Sequence, residues 1–186
     1  RALAGAGGLA FAGTGAGADA FDRSEVRAVL ADNADLRVTG AVSVTASATP
    51  QASAEALGVA AGGGASIGAS VARAHAVASI EAAVGNGVCP DGASLQGLAQ
   101  SLVRDGGRSA AAKAVGGSAG YLFGGNASVA DAASANRVES LVHSGASLAV
   151  AGAVQVAAAN QSKQEAEAPG IAAGIVAVGA NVASAS

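Results

Sequence analysis

Few residues in this chain could do chemistry. His75 and His143 are the only histidines, Cys89 is the only cysteine, and 13 carboxylates accompany 10 Lys and Arg. An imidazole titrates near neutral pH and can act as base, acid or metal ligand. A thiolate becomes a nucleophile when a neighbouring base or cation lowers its pKa. Neither has a partner visible in the sequence. The histidines read as solvated surface residues, and His143 aligns with Ala31 in an internal copy described below. Cys89, within GNGVCPDGA and followed by Pro90, reads as a partly buried turn cysteine. One cysteine makes neither an internal disulfide nor a protein-only zinc site.

The oxygen donors lead to the same place. Asp32, Asn33 and Asp35 could offer oxygens to calcium, but the loop lacks the Glu-terminated spacing of an EF-hand and the Gly-Gly-x-Gly-x-Asp repeat. Glu165 and Glu167 share one strand face and read as a solvated edge, not an acid–base pair. GAGADA (15–20) is a loose dinucleotide fingerprint with no strand before it and no helix after it, and reads as a turn of a repeat. GGRS (106–109) has Arg where a phosphate-binding loop needs Lys, and Leu102 stands where its first glycine belongs. The Asn126 and Asn160 sequons are of a kind common by chance in such chains. The expectation is a protein that is not an enzyme, with no catalytic residue, no cofactor and no metal.

Elements able to position any site must be built from very small side chains. The 186 residues include 54 Ala and 28 Gly, with no Met, no Trp and four aromatic residues. Ordinary cores are filled with large aliphatic residues at near-crystalline density. Alanine and valine fill only a thin core, which points to a repetitive protein. A net charge of −3 without a basic cluster excludes nucleic acid as a partner. PGIAAGIVAVGANVASAS (169–186) is apolar, but its uninterrupted run from Gly170 to Ala180 is about half the ~20 residues of a membrane helix. A membrane barrel would need aromatic girdles that this composition does not supply. The expectation is no membrane insertion of this segment.

Self-similarity is the strongest signal. Residues 34–63 align without a gap on 146–175, an offset of 112, with 15 of 30 positions identical. Residues 52–72 align on 110–130 at an offset of 58, which leaves 54 for the remaining step. A fixed period of this size marks an array whose units bury their faces on each other. The whole chain, 1–186, reads as a single repetitive domain and a fragment of a longer array. Its units are 1–25 (partial), 26–80, 81–137 and 138–186 (partial).

Within a unit the pattern has period two. Leu36, Val38, Gly40, Val42, Val44 and Ala46 alternate with polar or small residues, and Leu148, Val150, Gly152, Val154, Val156 and Ala158 keep that parity. Parity continues through Ala54, Ala56, Gly58, Ala60 and Gly62, matched by Ala166, Ala168, Gly170, Ala172 and Gly174. One face of a strand is therefore inside. The structural glycines of the repeat are Gly40, Gly58, Gly62, Gly116, Gly120, Gly152, Gly170 and Gly174, where bulk is excluded. Residues 22–36 read mostly as strand. Leu95, Leu98, Leu102 and Val103 stand at helical spacing, so one short helix or irregular insertion is expected near 93–105.

These motifs resemble the tandem repeats of giant bacterial filamentous haemagglutinin-like and leukotoxin-like adhesins. The features that match are a turn at Asp91-Gly92-Ala93, a short strand from Val42 to Ala46, and a glycine-rich strand pair ending at Gly68–Ala72. The resemblance implies a secreted β-solenoid on the bacterial cell surface, forming an adhesive stalk or fibre. Implied partners are neighbouring repeats, self-association into fibres, and a host or neighbouring-cell surface. The fold expected is all-β, a parallel β-helix-like solenoid with small residues inside and Ser/Thr/Ala ladders outside. Two other functions fit a solenoid: an ice- or surface-binding protein, and a carbohydrate-active β-helix enzyme.

Overall fold

Alternation at period two becomes strand over most of the chain. The computed structural model describes residues 1–37, 39–86, 89–92, 94–103, 107–147 and 149–186, with the side chains of 89–92 and 149 outside the description. The described residues form strands and connections, without a helix among them. The first passage of the chain gives β1 (Ala2–Gly8), β2 (Phe11–Leu30), β3 (Asp35–Arg37) and β4 (Ala41–Ala48). The second gives β5 (Ala52–Gly62), β6 (Ala65–Val84), β7 (Cys89–Gly92) and β8 (Ser94–Ser101). The third repeats the set as β9 (Ala110–Gly120), β10 (Phe123–Val142), β11 (Ala149–Val150) and β12 (Val154–Asn160). A last passage adds β13 (Gln164–Glu167), β14 (Gly170–Ala173) and β15 (Val176–Ala185).

Each strand pairs in parallel with its counterpart one passage away, giving four parallel sheets. The order is β1-β5-β9 with β13 and β14 in one sheet, β2-β6-β10-β15 in the second, β3-β7-β11 in the third and β4-β8-β12 in the fourth. The central strand β6 is paired over all 20 of its residues on both sides, with β2 and with β10. The steps between neighbours are those of the repeat. Arg27 and Glu81 stand side by side 54 residues apart, Ser70 and Ser128 58 apart, and Ser109 and Lys163 54 apart.

Two walls enclose the core. The long strands β2, β6 and β10, each about 65 Å at ~3.3 Å per residue, make one wall. The β1/β5/β9 sheet packs against the first half of that wall, and the β4/β8/β12 sheet against the second half. Between β5 and β6 the chain turns back through Gly63 and Gly64, so these two strands face each other as an arch. At the arch the inward residues are glycine, alanine and small polar residues, as with Gly58, Gly62, Ser66, Ser70 and Asn126. Next comes an alanine zone, with Ala52, Ala54, Ala56, Ala110, Ala112 and Ala114 against Ala72, Ala74, Ala76, Ala130 and Ala132. Farther along, Val44, Ile80, Val84 and Leu95 fill a wider gap. The core therefore grades from glycine and small polar residues through alanine to branched residues, and close packing of each zone supplies dispersion contacts.

Several expectations are corrected. The Leu95–Ser101 stretch is strand β8, not helix: Leu95 is buried while Leu98 lies on the outer face, as period two demands. Backbone pairing with β4 and β12 on both sides overrides the helical spacing; Arg104 lies outside the described residues. GAGADA (15–20) is the middle of β2, not a turn. Asp91 and Gly92 belong to the short strand β7, with Ala93 outside the described residues. Gly68–Ala72 is internal to β6, which runs on to Val84. The 36–46 pattern is broken between β3 and β4, where Gly40 is exposed in a bend; Val38 and Leu148 lie outside the described residues. Serine is not confined to the outside. Ser66, Ser70, Ser101, Ser109, Ser118 and Ser128 are buried, because the thin core accepts a hydroxyl where it rejects a larger side chain.

Candidate functional site

The repeat glycines divide by position. Gly58, Gly116 and Gly170 are register partners in one sheet. A Cβ at Gly58 would collide with the carbonyl oxygen of Ala69 on the facing wall. At Gly116 it would lie 2.6 Å from Ser128 Oγ and 3.0 Å from the Ala127 carbonyl oxygen, and at Gly170 it would meet the amides of Asn126 and Asn181. Gly62, Gly120 and Gly174 form a similar row beside the arch turns, where a Cβ at Gly62 would lie 2.6 Å from the Ala65 carbonyl oxygen. Gly40 and Gly152 sit in exposed bends, and a Cβ at Gly40 would meet nothing within 4 Å.

Buried polar groups cluster where the glycines let the walls approach. Asn126 is only 7% exposed, and its Nδ2 donates to Asn181 Oδ1 at 3.2 Å. Ser70 Oγ donates to Ser128 Oγ at 3.4 Å, and Ser128 donates on to the Pro169 carbonyl at 3.2 Å. A second group lies where two sheets meet end to end opposite β10. There Asn136 Nδ2 donates to Ser101 Oγ at 3.1 Å and to Asn160 Oδ1 at 3.4 Å, while its Oδ1 accepts from the Ala78 amide. In a core without bulk such bonds give direction to contacts that dispersion leaves unspecific. Because Asn126 is enclosed, its sequon is inaccessible as the chain is folded.

Charge forms columns on the outer faces. The parallel register aligns Arg1, Glu55, Lys113 and Glu167, so sign alternates from one passage to the next. Arg1 Nε lies 3.2 Å from Glu55 Oε2, and Lys113 Nζ lies 3.1 Å from Glu167 Oε2. Arg108 pairs with Glu165 beside them, and these side chains line a shallow groove with Ser53. The hydrogen bond and charge of Lys113 hold the exposed Glu167 carboxyl below its ordinary range. Glu165 and Glu167 therefore share one face, as parity required, but each is matched by a cation. Carboxylates paired with cations in this way make the face a mixed-charge surface. On the opposite face Asp19, Arg73 and Asp131 align in the same alternating way.

His75 lies on β6, and the other candidates lie after β2 and β10 or in the β3/β7 sheet. His75 Nε2 is 3.7 Å from Asp131 Oδ2, and its ring centroid is 6.3 Å from that of Phe21. His143 is exposed in the bend after β10, where its amide donates to the Val84 carbonyl at 3.0 Å. Cys89 pairs through its backbone in β7 opposite Asp35. Asp32 serves the turn: its Oδ1 accepts from the Asn86 amide at 2.7 Å, and Asn33 (φ 57°) donates its amide to the Asn86 carbonyl at 2.8 Å. Among the described residues no group of three His, Cys, Asp or Glu converges on a metal position. Thr45 stands beside Leu98, and Leu98 beside Ala157, so that column carries no threonine ladder. No described helix is long and apolar enough to cross a membrane.

Sequence reasoning missed the charge columns and the inward serines and asparagines. The columns were present in the repeat offsets, since Arg1, Glu55, Lys113 and Glu167 are spaced by 54, 58 and 54. No family model matches the chain, and no curated protein or solved structure matches it.

Proposed function

We propose that this chain is a structural segment of a large secreted bacterial surface protein, a β-solenoid that forms part of an adhesive stalk or fibre. The observation that carries the reading is the full-length parallel pairing of β6 with both β2 and β10. Units that pair this way on both sides extend along one axis at ~4.8 Å per passage, whatever their number. Backbone ladders then supply the cohesion that a core of alanine and glycine cannot, and alternating charge columns favour one stacking register over its neighbours. In this reading the outer faces contact a host or neighbouring cell, and no catalytic group is needed.

The test is a series of chains with one, two and three tandem copies, measured by small-angle scattering and electron microscopy. The expected result is a rod of constant cross-section whose length grows by roughly 4.8 Å per passage. Independent beads of 186 residues would overturn it. Adhesion is tested separately, by displaying the triple copy on a non-adherent bacterium and counting cells retained on host-cell monolayers.

A further inference from the structure

The arch end of the fold is inside out. Between the arch turns and the charge columns, every Ser, Thr and Asn points inward, as with Thr14, Ser66, Ser70, Ser118, Asn126 and Ser128. Every outward residue over the same height is Gly, Ala, Pro or a larger apolar residue. Leu3, Val59 and Ile171 stand on one outer face and Phe11, Ile67 and Val178 on the other, all well exposed. The turns add Leu9, 98% exposed, and Tyr121 with Leu122. The opposite end is more polar, for the outer face of β4 and β8 carries Ser43, Thr45, Ser47, Gln96 and Gln100 beside Leu98, over buried Val44 and Leu95. The inversion is thus local to one edge of one fold.

Three further features identify what this edge meets. First, the charge columns begin at one level on both faces. Gly58 faces Ala69 and Gly62 faces Ala65, which puts Glu55 and Arg73 nearly opposite each other. The uncharged edge is then about 25 Å tall at ~3.3 Å per residue. Second, the turn backbone is paired between passages. The Gly63, Gly64, Leu122 and Ile175 amides donate to the carbonyls of Gly8, Ala10, Gly64 and Tyr121, so these four turn donors carry their partners with them out of water. Third, the apolar surface wraps two faces and the turn between them. A second copy would cover one face; a fluid covers all three.

We infer that this edge seats in the acyl region of a zwitterionic phospholipid layer, with the mixed-sign columns of Arg1, Glu55, Lys113 and Glu167 at headgroup level. Alternating charges match a phosphocholine surface, which carries both signs. An uninterrupted apolar run is the mark of a helix in lipid, and its shortness argued against insertion. A strand presents only alternate residues, so the polar inward ones interrupt the run without touching lipid.

The test is flotation of the whole chain with phosphatidylcholine vesicles. Tyr121 is the only tyrosine and there is no tryptophan, so its emission reports the arch directly. The expected result is co-flotation that persists in 0.5 M salt, with Tyr121 quenched when the acyl chains are brominated. Ile67→Asp with Ile171→Asp, both outward, is expected to lower the bound fraction at least tenfold while far-ultraviolet dichroism stays unchanged. Gln96→Asp, on the polar outer face, is expected to leave binding as it is. Absence of flotation, flotation without quenching, or a dimer in sedimentation that the double variant dissociates would each overturn the inference.

Discussion

Asn136 Nδ2 donates to Ser101 Oγ at 3.1 Å across the interior, where the β1/β5/β9 and β4/β8/β12 sheets meet end to end. Ser101 is fully buried, and Asn136 also accepts from the Ala78 amide at 3.2 Å. One side chain therefore ties both walls at the junction between two sheets. Asn136→Ala leaves that hydroxyl and that amide without this partner, and an unsatisfied buried group costs about 1–3 kcal/mol. The expected loss of stability is of that size, read from urea denaturation.

Gly58 and Gly40 test whether the repeat glycines act by excluding bulk. Gly58→Val forces a side chain onto the Ala69 carbonyl and is expected to destabilise by about 1–3 kcal/mol or more, as overpacking does. Gly40→Ala meets open space and is expected to change stability by less than about 0.5 kcal/mol. Equal effects at the two positions would contradict the arch.

Leu95 and Leu98 separate strand from helix in β8. Leu95 is 1% exposed, and Leu95→Ala is expected to cost about 2–4 kcal/mol. Leu98 lies on the outer face, and Leu98→Ala is expected to cost under about 1 kcal/mol. A helix in this segment would make the two losses similar.

Glu167 gives a pH prediction. Its carboxyl titrates below the ordinary range because Lys113 donates to it and lies beside it. A depressed carboxylate stabilises the fold above its unfolded pKa, about 4.3, and that contribution fades as pH falls through the lower folded value. Carbon-detected titration of Glu167 is expected to show a midpoint below that of the unfolded chain. Lys113→Ala is expected to raise it toward the ordinary range, and high salt to do the same in part, since the pair is exposed.

Much of the fold was legible because the repeat is a one-dimensional signal. Aligning 52–72 with 110–130 at 58 residues names the same partners as the β5–β9 and β6–β10 ladders, residue for residue. Parity placed Val44, Ala46, Ala54, Ala56 and Ala60 inward, and each is buried. Val154 and Val156 share that parity yet remain about half exposed, since β12 is paired on one side only. The segment around Leu95 was misjudged because local spacing carries no information about the ladders that will flank it.

What the sequence determined by itself was the register, the inward faces of β4 and β5 and the smallness of the core. Those depend on residues at fixed separations along the chain, and translation by one repeat reproduces them. What only the tertiary structure decided was how the walls face each other. Whether Ser70 lies inside while Ile67 lies outside depends on the arch folding β6 back over β5, and that fold is set by how closely two backbones can approach at Gly58 and Gly62. Hydropathy alone would have turned that edge the other way out.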